Sequence, residues 1–420
     1  MTTELGRPTG VGRAVDGSPW RVALLGGFGG GNIGNDASLD AGIRMVRRIE
    51  ADAAITCLCP RPEEVAERFN VPAHPIRAGR PAGGVFSSPI GRLLRTPYRL
   101  ADVALALRMS GSFDALLVPG TGILDDYGGE RPSGWPLALA GWLVAARWRG
   151  VQTGLVSIGA GPLAHPVSRR LARVIIGSAN YRSFRDAGSR NFMASLGLDV
   201  GSDAVVPDIA FSIPTPVLTW SQTAPPLVVL PVMRYRGWNV TSLSTSIENR
   251  HLSVLSAFCG WLLGAGYAVR LVTADIHDHA ATEQVAQAAV AANPEGARSR
   301  LTIAVTDDLT GYLRLVADAT VVVASRYHAV IGALMCGKPT ISLGYAAKNE
   351  ELMTAVGLGA YCQGLDNVDE TLLRKQFGEL TAHRETLSAT VTSHVAEFRA
   401  RLAAEEERLR AFLRLKAPGR

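Results

Sequence analysis

The chain has 420 residues, of which 47% are hydrophobic and 19% are charged. This length allows two domains with substantial cores, and this composition excludes a disordered chain. The net charge of +6 comes mainly from arginine, without a long basic run or interleaved aromatic residues. It therefore favours an anionic small molecule or an acidic lipid surface as partner and argues against nucleic acid.

The N-terminus and the apolar runs bear on location. The first eighteen residues lack an apolar signal core, and no apolar run reaches the roughly 18–20 residues that a membrane span requires. We therefore expect a cytoplasmic protein, with a peripheral contact at the inner face of the cell membrane left open. The odd number and scattered positions of the five cysteines predict buried free thiols: Cys57, Cys59, Cys259, Cys336 and Cys362.

Strand-like apolar runs alternate with helical patterns in the first half of the chain, at 21–25, 54–58, 115–119, 154–158 and 181–184. This alternation is typical of a doubly wound parallel sheet. After a proline-rich break it begins again, with runs at 227–231, 268–273, 302–305, 320–324 and 340–343. The sequence therefore predicts an α/β protein with two Rossmann-like domains that face each other across a cleft.

This pattern predicts four segments: a flexible N-terminus at 1–19, Rossmann-like domains at 20–215 and 226–368, and a helical segment at 369–420. The alternating charges of the last segment are typical of a solvated helix face that packs back across the domains. Residues 89–109 mix arginines with leucines in an amphipathic pattern. That pattern fits either a membrane surface or an ordinary helix packed on the first domain.

A glycine-rich loop follows the first strand. Gly29, Gly31 and Gly34 satisfy the G-x-G-x-x-G spacing of dinucleotide-binding proteins. The next strand ends without the acid that binds a ribose in such proteins, so we expect no nicotinamide or flavin cofactor, and no other cofactor. Polar side chains surround the start of the following helix: Asn32, Asn35 and Asp36. Asp36 could cap this helix, or could bond or deprotonate a substrate hydroxyl.

Two further polar loops end strands of the first half. The first contains Gly120, Thr121, Gly122 and the neighbouring carboxylates Asp125 and Asp126. Carboxylates suggest a metal, yet neighbours on an extended chain point to opposite faces. Sugar-hydroxyl binding therefore fits as well as a metal, a structural turn fits better than either, and no metal is assigned. Small residues also form the second loop, at 157–162. Glycines at three strand ends indicate a ligand along that edge.

The most informative stretch runs from the apolar strand at 321–324 through Ser325, Arg326, Tyr327 and His328 into a helix of small residues. In an open α/β sheet, the carboxyl end of a strand and the start of the next helix form the ligand site. The helix N-terminus favours an anion, and an arginine offers a planar fork for phosphate or carboxylate. Arg234 or Arg236, after the first strand of the second set, would join this cleft and strengthen the anion site.

These motifs, taken in order, resemble the polysaccharide pyruvyl transferase family. The resemblance covers roughly residues 20–360 and rests on Asn32, Gly34 and Asp36, on Gly120-Thr121-Gly122, on Arg182-Ser183-Phe184-Arg185-Asp186, on Pro207-Asp208, on Ser325-Arg326-Tyr327-His328, on Gly337-Lys338-Pro339 and on Tyr345-Ala346-Ala347-Lys348. The acid that follows Asn32 lies one place later than in the usual family pattern. Arg185 and Asp186 could also be a simple structural ion pair.

The resemblance implies a GT-B-like fold and transfer of the pyruvyl group of phosphoenolpyruvate onto a diol of a sugar, as a cyclic ketal, with release of phosphate. The first domain would hold the sugar or lipid-linked glycan acceptor, and the second would hold the donor. His328 would be the general acid near its ordinary pKa of about 6.5, with Asp36 as second catalytic residue. The remaining implied roles are donor binding by Ser325, Arg326, Tyr327, Arg234 and Lys348, and acceptor binding by Asn32, Asn35, Gly120, Thr121, Gly122 and Asp125.

Two other functions fit parts of the sequence. A glycosyltransferase with a nucleotide-sugar donor would use the same cleft and basic site, with Glu350 or Glu351 as ribose ligand. A catalytically inactive fold that binds an acidic glycan is the alternative from another class. The retained Arg326 and His328 argue against it.

Overall fold

The computed structural model describes residues 19–79, 95–125, 132–216, 225–236 and 245–415. Two separate parallel sheets, each covered by helices, organise this part of the chain. The predicted class, two Rossmann-like domains, is confirmed.

The first sheet has the order β3-β2-β1-β4-β6-β7-β8, with the short β5 beside β6. Its central strands are almost wholly buried, because helices cover both faces. Its strands are β1 Arg21–Leu25, β2 Ala54–Cys59, β3 Ala73–Pro75, β4 Ala115–Pro119, β5 Gly122–Leu124, β6 Gln152–Ala160, β7 Tyr181–Phe184 and β8 Ala204–Val205. The helices between them are α1 Ile33–Ile49, α2 Pro62–Phe69, α3 Arg95–Ser110, α4 Trp135–Trp148, α5 Pro166–Ser178 and α6 Ala187–Ser195.

The second sheet has the order β11-β10-β9-β12-β13-β14. Its strands are β9 Leu227–Pro231, β10 Ala268–Thr273, β11 Leu301–Val305, β12 Val321–Ala324, β13 Thr340–Gly344 and β14 Cys362–Gly364. Its helices are α7 Thr245–Gly264, α8 His279–Ala292, α9 Pro294–Arg300, α10 Leu309–Val316, α11 Tyr327–Met335, α12 Ala347–Ala355 and α13 Glu370–Ala382. In both sheets the strand order reverses beside the first strand, between β1 and β4 and between β9 and β12, which is where such folds bind ligands.

The last helix, α14 (Arg384–Leu415), returns to the first sheet. Arg48 on α1 pairs with Glu406 at 2.8 Å. The Arg399 guanidinium donates to the Phe211 carbonyl oxygen at 3.2 Å. Val395, Phe398 and Leu402 on the same helix pack into a hydrophobic core that contains residues of both sheets. The predicted helical segment therefore ties the two halves of the molecule together.

The predicted strands agree closely with the structure, and the differences lie at their ends. The first helix begins at Ile33 rather than Asp36, because Asn32 caps it by accepting from Gly34 N and Asn35 N. Residues 89–94 of the predicted amphipathic segment 89–109 lie outside the described residues, and residues 95–109 form most of α3. None of the described helices is long and apolar enough to cross a membrane. All five cysteines are free, and four of them are buried, as predicted.

Candidate functional site

The two points of strand reversal face each other, and the first turn of α1 meets the first turn of α11. A Cβ atom on Gly34 would lie 2.0 Å from Nδ1 of His328, so only glycine allows this approach. Asn32 also forms an isolated antiparallel bridge with Asp275 of the second half. The glycine-rich loop therefore makes room for a histidine of the opposite domain, a reason that the dinucleotide-like spacing did not suggest.

His328 is the partly buried centre of this contact, with 17% of its side chain exposed. Its Nε2 lies 3.7 Å from Oδ2 of Asp208, which is fully buried. Within the described ranges, neither of these two atoms has a hydrogen-bond partner. Burial lowers the pKa of His328 to about 4. The charge of Asp208 acts against this shift, whereas the charges of Arg185 and Lys348 add to it. This pKa is lower than the expected value near 6.5, and the ring is therefore neutral at pH 7.

Two cations of the site lie around the ring of Tyr327. The Arg185 guanidinium lies 4.9 Å from the ring centroid, and Lys348 Nζ lies 5.5 Å from it. Arg185 is also 3.5 Å from Asp208 and 3.3 Å from Asp186. The predicted ion pair of Arg185 and Asp186 is therefore present, and it belongs to a larger cluster that includes Asp208 of the first domain and Tyr327 of the second.

Arg185 and Asp208 are the residues to which the sequence assigned no role in the site. Their signal was present, since both belong to the motifs of the resemblance. The glycines at strand ends were a second signal, and they have two different roles, since Gly27 and Gly122 line a cavity whereas Gly159 does not. A Cβ on Gly159 would lie 2.4 Å from the Arg185 guanidinium, so this glycine makes room for a side chain of the protein and not for a ligand.

Arg326 precedes α11 and is held by two carboxylates of the loop after β10. Its Nε donates to Asp278, and its Nη2 lies 3.2 Å from Asp275. This arrangement fixes the guanidinium beside His328 and offsets part of its charge. A cavity of about 40 Å³, hardly more than one water, lies here and is lined by Arg326, Tyr327, His328 and Tyr345 among others.

Arg234, the second arginine predicted to bind the donor, has its side chain away from this cavity. The Arg234 side chain pairs with Glu248 on α7 at 2.7 Å, and Arg236 binds the other oxygen of the same carboxylate. Arg234 is not among the residues that line the cavity at His328. Only its backbone is coupled to the site, because Arg234 N donates to Asp278 at 2.9 Å. Ser325 is buried at the end of β12 and does not line this cavity either.

Asp36 has a position that fits neither predicted role. The cap of α1 is Asn32, and the Asp36 carboxylate accepts from Gly29 N at 2.9 Å and pairs with Arg68 at 3.0 Å. Burial raises the pKa of this carboxyl, although Gly29 and Arg68 act against the rise. The Asp36 carboxylate therefore orders the glycine-rich loop and ties it to α2.

Four of the six predicted acceptor residues line a larger cavity, of about 800 Å³, on the first domain, whereas Asn32 lines the cavity at His328. Asn35, Thr121, Gly122 and Asp125 all contribute to its wall. Asn35 and Gly34 are neighbours in α1, so the first turn of this helix separates this cavity from His328. Gly120 does not line the cavity. Its φ of +59° and its contacts with Ser38 and Ile209 show that it is required by the turn.

Thr121 is the most unusual residue of this cavity. Its φ is +65°, a left-handed conformation that a β-branched residue rarely adopts. Its Oγ1 is buried and has no hydrogen-bond partner among the residues that the structure describes. The combination of backbone strain and an unsatisfied hydroxyl in the wall of a cavity is typical of a ligand-binding position.

A third cavity, of about 660 Å³, opens on the other side of Tyr327. Arg185, Asp208, Tyr327 and Lys348 form one wall, and Glu351 of α12 lies opposite. Glu351 also accepts from Gly188 N at 3.3 Å, which is another contact between the two halves. The interface of the two domains therefore has a closely packed centre at His328 and a large cavity on each side of it.

Comparison with solved structures agrees with this architecture. UDP-GlcNAc 2-epimerase from Methanocaldococcus jannaschii is 12% identical with a TM-score of 0.56, over 86% of this chain and 92% of that chain. The Anabaena protein HepE, in complex with UDP and glucose, is 14% identical with a TM-score of 0.56, over 93% and 98%. The lipopolysaccharide outer core galactosyltransferase WaaB is 11% identical with a TM-score of 0.53, over 92% and 99%. At such identities the likeness shows the fold alone, which is the GT-B architecture of two facing α/β domains.

The sequence comparison defines the family. No curated protein matches the chain. The polysaccharide pyruvyl transferase family, however, matches residues 32–346, a range that includes the α1 start, the buried cluster and all of α11. The chain therefore belongs to the polysaccharide pyruvyl transferase family. It is a transferase, and the family relates it to the pyruvylation of polysaccharides.

Proposed function

We propose that the protein transfers the pyruvyl group of phosphoenolpyruvate to two hydroxyls of a sugar in a polysaccharide or glycolipid precursor, in the cytoplasm, and releases phosphate. The observation that carries this proposal is the partly buried, neutral His328 at the seam of the two domains, where Arg185 and Lys348 act on its ring and Arg326 lines the same cavity. Such a site is suited to a small donor that brings several negative charges and requires one proton.

Donor binding would charge the histidine. A unit negative charge about 4 Å from the ring, at an effective dielectric constant of about 20, stabilises the imidazolium by about 4 kcal/mol, or about 3 pKa units. This shift would bring the pKa of His328 from about 4 to about 7. The acid would then form only when the phosphate and carboxylate of the donor are present.

The reaction begins when the His328 imidazolium donates its proton to the methylene carbon of phosphoenolpyruvate, which becomes a methyl group. The adjacent carbon becomes cationic, and a first sugar hydroxyl attacks it. The bond from this carbon to the phosphate oxygen then breaks, and the second hydroxyl attacks to close the ketal. One hydroxyl proton restores the imidazolium and the other leaves with phosphate, so the atoms balance. Arg326, Arg185 and Lys348 would stabilise the charges of the donor and of the departing phosphate.

The cavity volumes suggest how the substrates enter. The space of about 40 Å³ at Arg326 and His328 is too small for phosphoenolpyruvate, whereas the cavity beyond Tyr327 has room. We propose that the first turn of α1 moves away from His328 when the donor enters. The acceptor would approach from the cavity of Asn35 and Thr121, with the unsatisfied Thr121 hydroxyl bonding a sugar hydroxyl.

The direct test is phosphate release and ketal formation from phosphoenolpyruvate with a panel of glycan acceptors. His328→Gln and Arg326→Ala should remove activity, while Arg314→Ala, on an exposed position of α10, should retain it. Thermal unfolding with phosphoenolpyruvate or with UDP or GDP separates this proposal from a nucleotide-sugar glycosyltransferase. A ligand at 100 times its Kd adds about 2.7 kcal/mol to stability, which is visible as a shift of a few degrees. Stabilisation by a nucleotide diphosphate alone would reject the pyruvyl donor.

A further inference from the structure

The outer layer formed by α3, α4 and α5 carries an unusual concentration of exposed apolar side chains. Among the described residues, seven of twelve exposed large hydrophobic side chains lie on these three helices. Within α4, Leu137, Val144 and Trp148 follow each other at spacings of seven and four residues, so they form one stripe. Leu100 and Val103 extend the surface on α3, and Val167 and Val174 extend it on α5. The most exposed of the seven is Trp148, at 73%.

The charge of this layer is one-sided. Asp102 is the only acid in the sequences of the three helices. Around the apolar stripes lie exposed arginines: Arg99, Arg108, Arg147, Arg149, Arg170 and Arg173. The Arg149 guanidinium lies 5.9 Å from the Trp148 ring. Arginines beside exposed tryptophan and aliphatic residues form the surface that an anionic bilayer attracts, since the charges meet lipid headgroups while the apolar groups enter the interface.

We infer that the outer face of α3, α4 and α5 docks on a membrane that contains anionic phospholipid. A second copy of the chain is a poorer occupant, because two such basic faces would repel each other. The number of its exposed apolar side chains and the arginines around them distinguish this surface from the rest of the described protein, where five such side chains are spread over four elements or loops: Ile276, Val290, Ile303, Val305 and Leu372.

The docking face adjoins the acceptor cavity. Ile76 and Ala78 line this cavity, and both are tied to the docking helices. Trp142 Nε1 on α4 donates to the Ile76 carbonyl at 2.9 Å, and Ala78 N donates to Asp102 on α3 at 2.8 Å. Trp135, the first residue of α4, also lines the cavity. Given the proposed function, this position implies an acceptor sugar that is carried on a lipid and enters from the membrane side.

Flotation of the full-length protein with vesicles tests the docking face without any reaction. Binding is expected to phosphatidylglycerol vesicles at low salt, and not to phosphatidylcholine vesicles. The triple variant Arg147→Ala/Arg170→Ala/Arg173→Ala should lose about fivefold in partitioning for each arginine removed. The matched control is Arg250→Ala/Arg298→Ala/Arg314→Ala, which removes three exposed arginines of the second domain.

A second pair separates the apolar contribution from charge. Val144→Ser/Trp148→Ala should weaken vesicle binding, whereas Ile276→Ser/Leu372→Ser, at exposed positions of the second domain, should not. Equal thermal stability of all variants ensures that they fold. No binding to anionic vesicles, equal loss in the controls, or a dimer that Val144→Ser/Trp148→Ala dissociates would each overturn the inference. Failure of the transfer assay with every acceptor would reject the proposed function and leave the vesicle result in place.

Discussion

The contact between Gly34 and His328 gives a prediction in which stability and activity separate. In Gly34→Ala, the new methyl group would lie 2.0, 2.4 and 2.6 Å from three atoms of the imidazole ring. Since unstrained contacts need about 3.5 Å, the ring or the first turn of α1 must move by about 1.5 Å. The ring cannot simply rotate away, because it packs edge-on against Tyr327 with centroids 5.3 Å apart.

The expected effect on stability is small. Overpacking costs about 1–3 kcal/mol, and alanine returns up to about 1 kcal/mol through its higher helix propensity. The net loss in the free energy of unfolding should therefore be about 2 kcal/mol or less. The effect on rate should be larger, since a displacement of about 1 Å at a reacting group can cost about 100-fold.

Urea unfolding and phosphate-release kinetics measure the two effects separately. Titration of His328 by NMR supplies a third reading, because displacement of the ring toward solvent should raise its pKa from about 4 toward about 6.5. Gly378→Ala is the matched control. This glycine is exposed in the middle of α13, with open space around its Cβ direction, so alanine should add about 1 kcal/mol to stability and leave the rate unchanged. Full activity in Gly34→Ala with an unaltered His328 pKa would refute the closed contact at this seam.

Three further predictions follow from the same structure. Thr121→Ser should keep acceptor affinity because it keeps the hydroxyl, whereas Thr121→Gly should weaken acceptor binding about tenfold or more, as measured by the acceptor KM. Because glycine relieves the left-handed strain, Thr121→Gly should leave the free energy of unfolding in urea equal or higher by up to about 1 kcal/mol. Burial lowers the pKa of both His251 and His328 to about 4, so the unfolded chain binds protons at a higher pH than the folded chain. The free energy of unfolding should therefore be constant above about pH 7 and fall by up to about 3 kcal/mol per histidine between about pH 6.5 and 4. Urea unfolding across this range that gives a constant free energy would contradict the prediction. Arg399→Ala should lower the free energy of unfolding by about 1–2 kcal/mol, because it leaves the Phe211 carbonyl without this donor and loosens the last helix, while the exposed Arg250→Ala should change it by no more than about 0.5 kcal/mol.

Much of the site was accessible from the sequence because its chemistry is local. Ser325 to His328 lie within four residues, at the end of a strand and the start of a helix. The hydrophobic periodicity of the sequence predicts both the strand and the helix. The same is true of the polar groups at Asn32 and Asn35. The role of Asp36 was misjudged because its partner Arg68 is 32 residues away on another helix. The protonation state of His328 was misjudged for a similar reason, since burial and distant charges set it.

The sequence by itself determined the two sheets, the family and the motif that holds Arg326 and His328, since all of these depend on patterns along the chain. The tertiary structure decided which groups meet. Asp208 and Arg185 come to His328 from the other domain, and Glu248 takes Arg234 away from it. It also brought the exposed apolar side chains of three helices to one layer of the first domain, beside the cavity lined by Asn35 and Thr121. Such juxtapositions depend on packing between residues far apart in the chain, and no local pattern encodes the distance between two side chains on different domains.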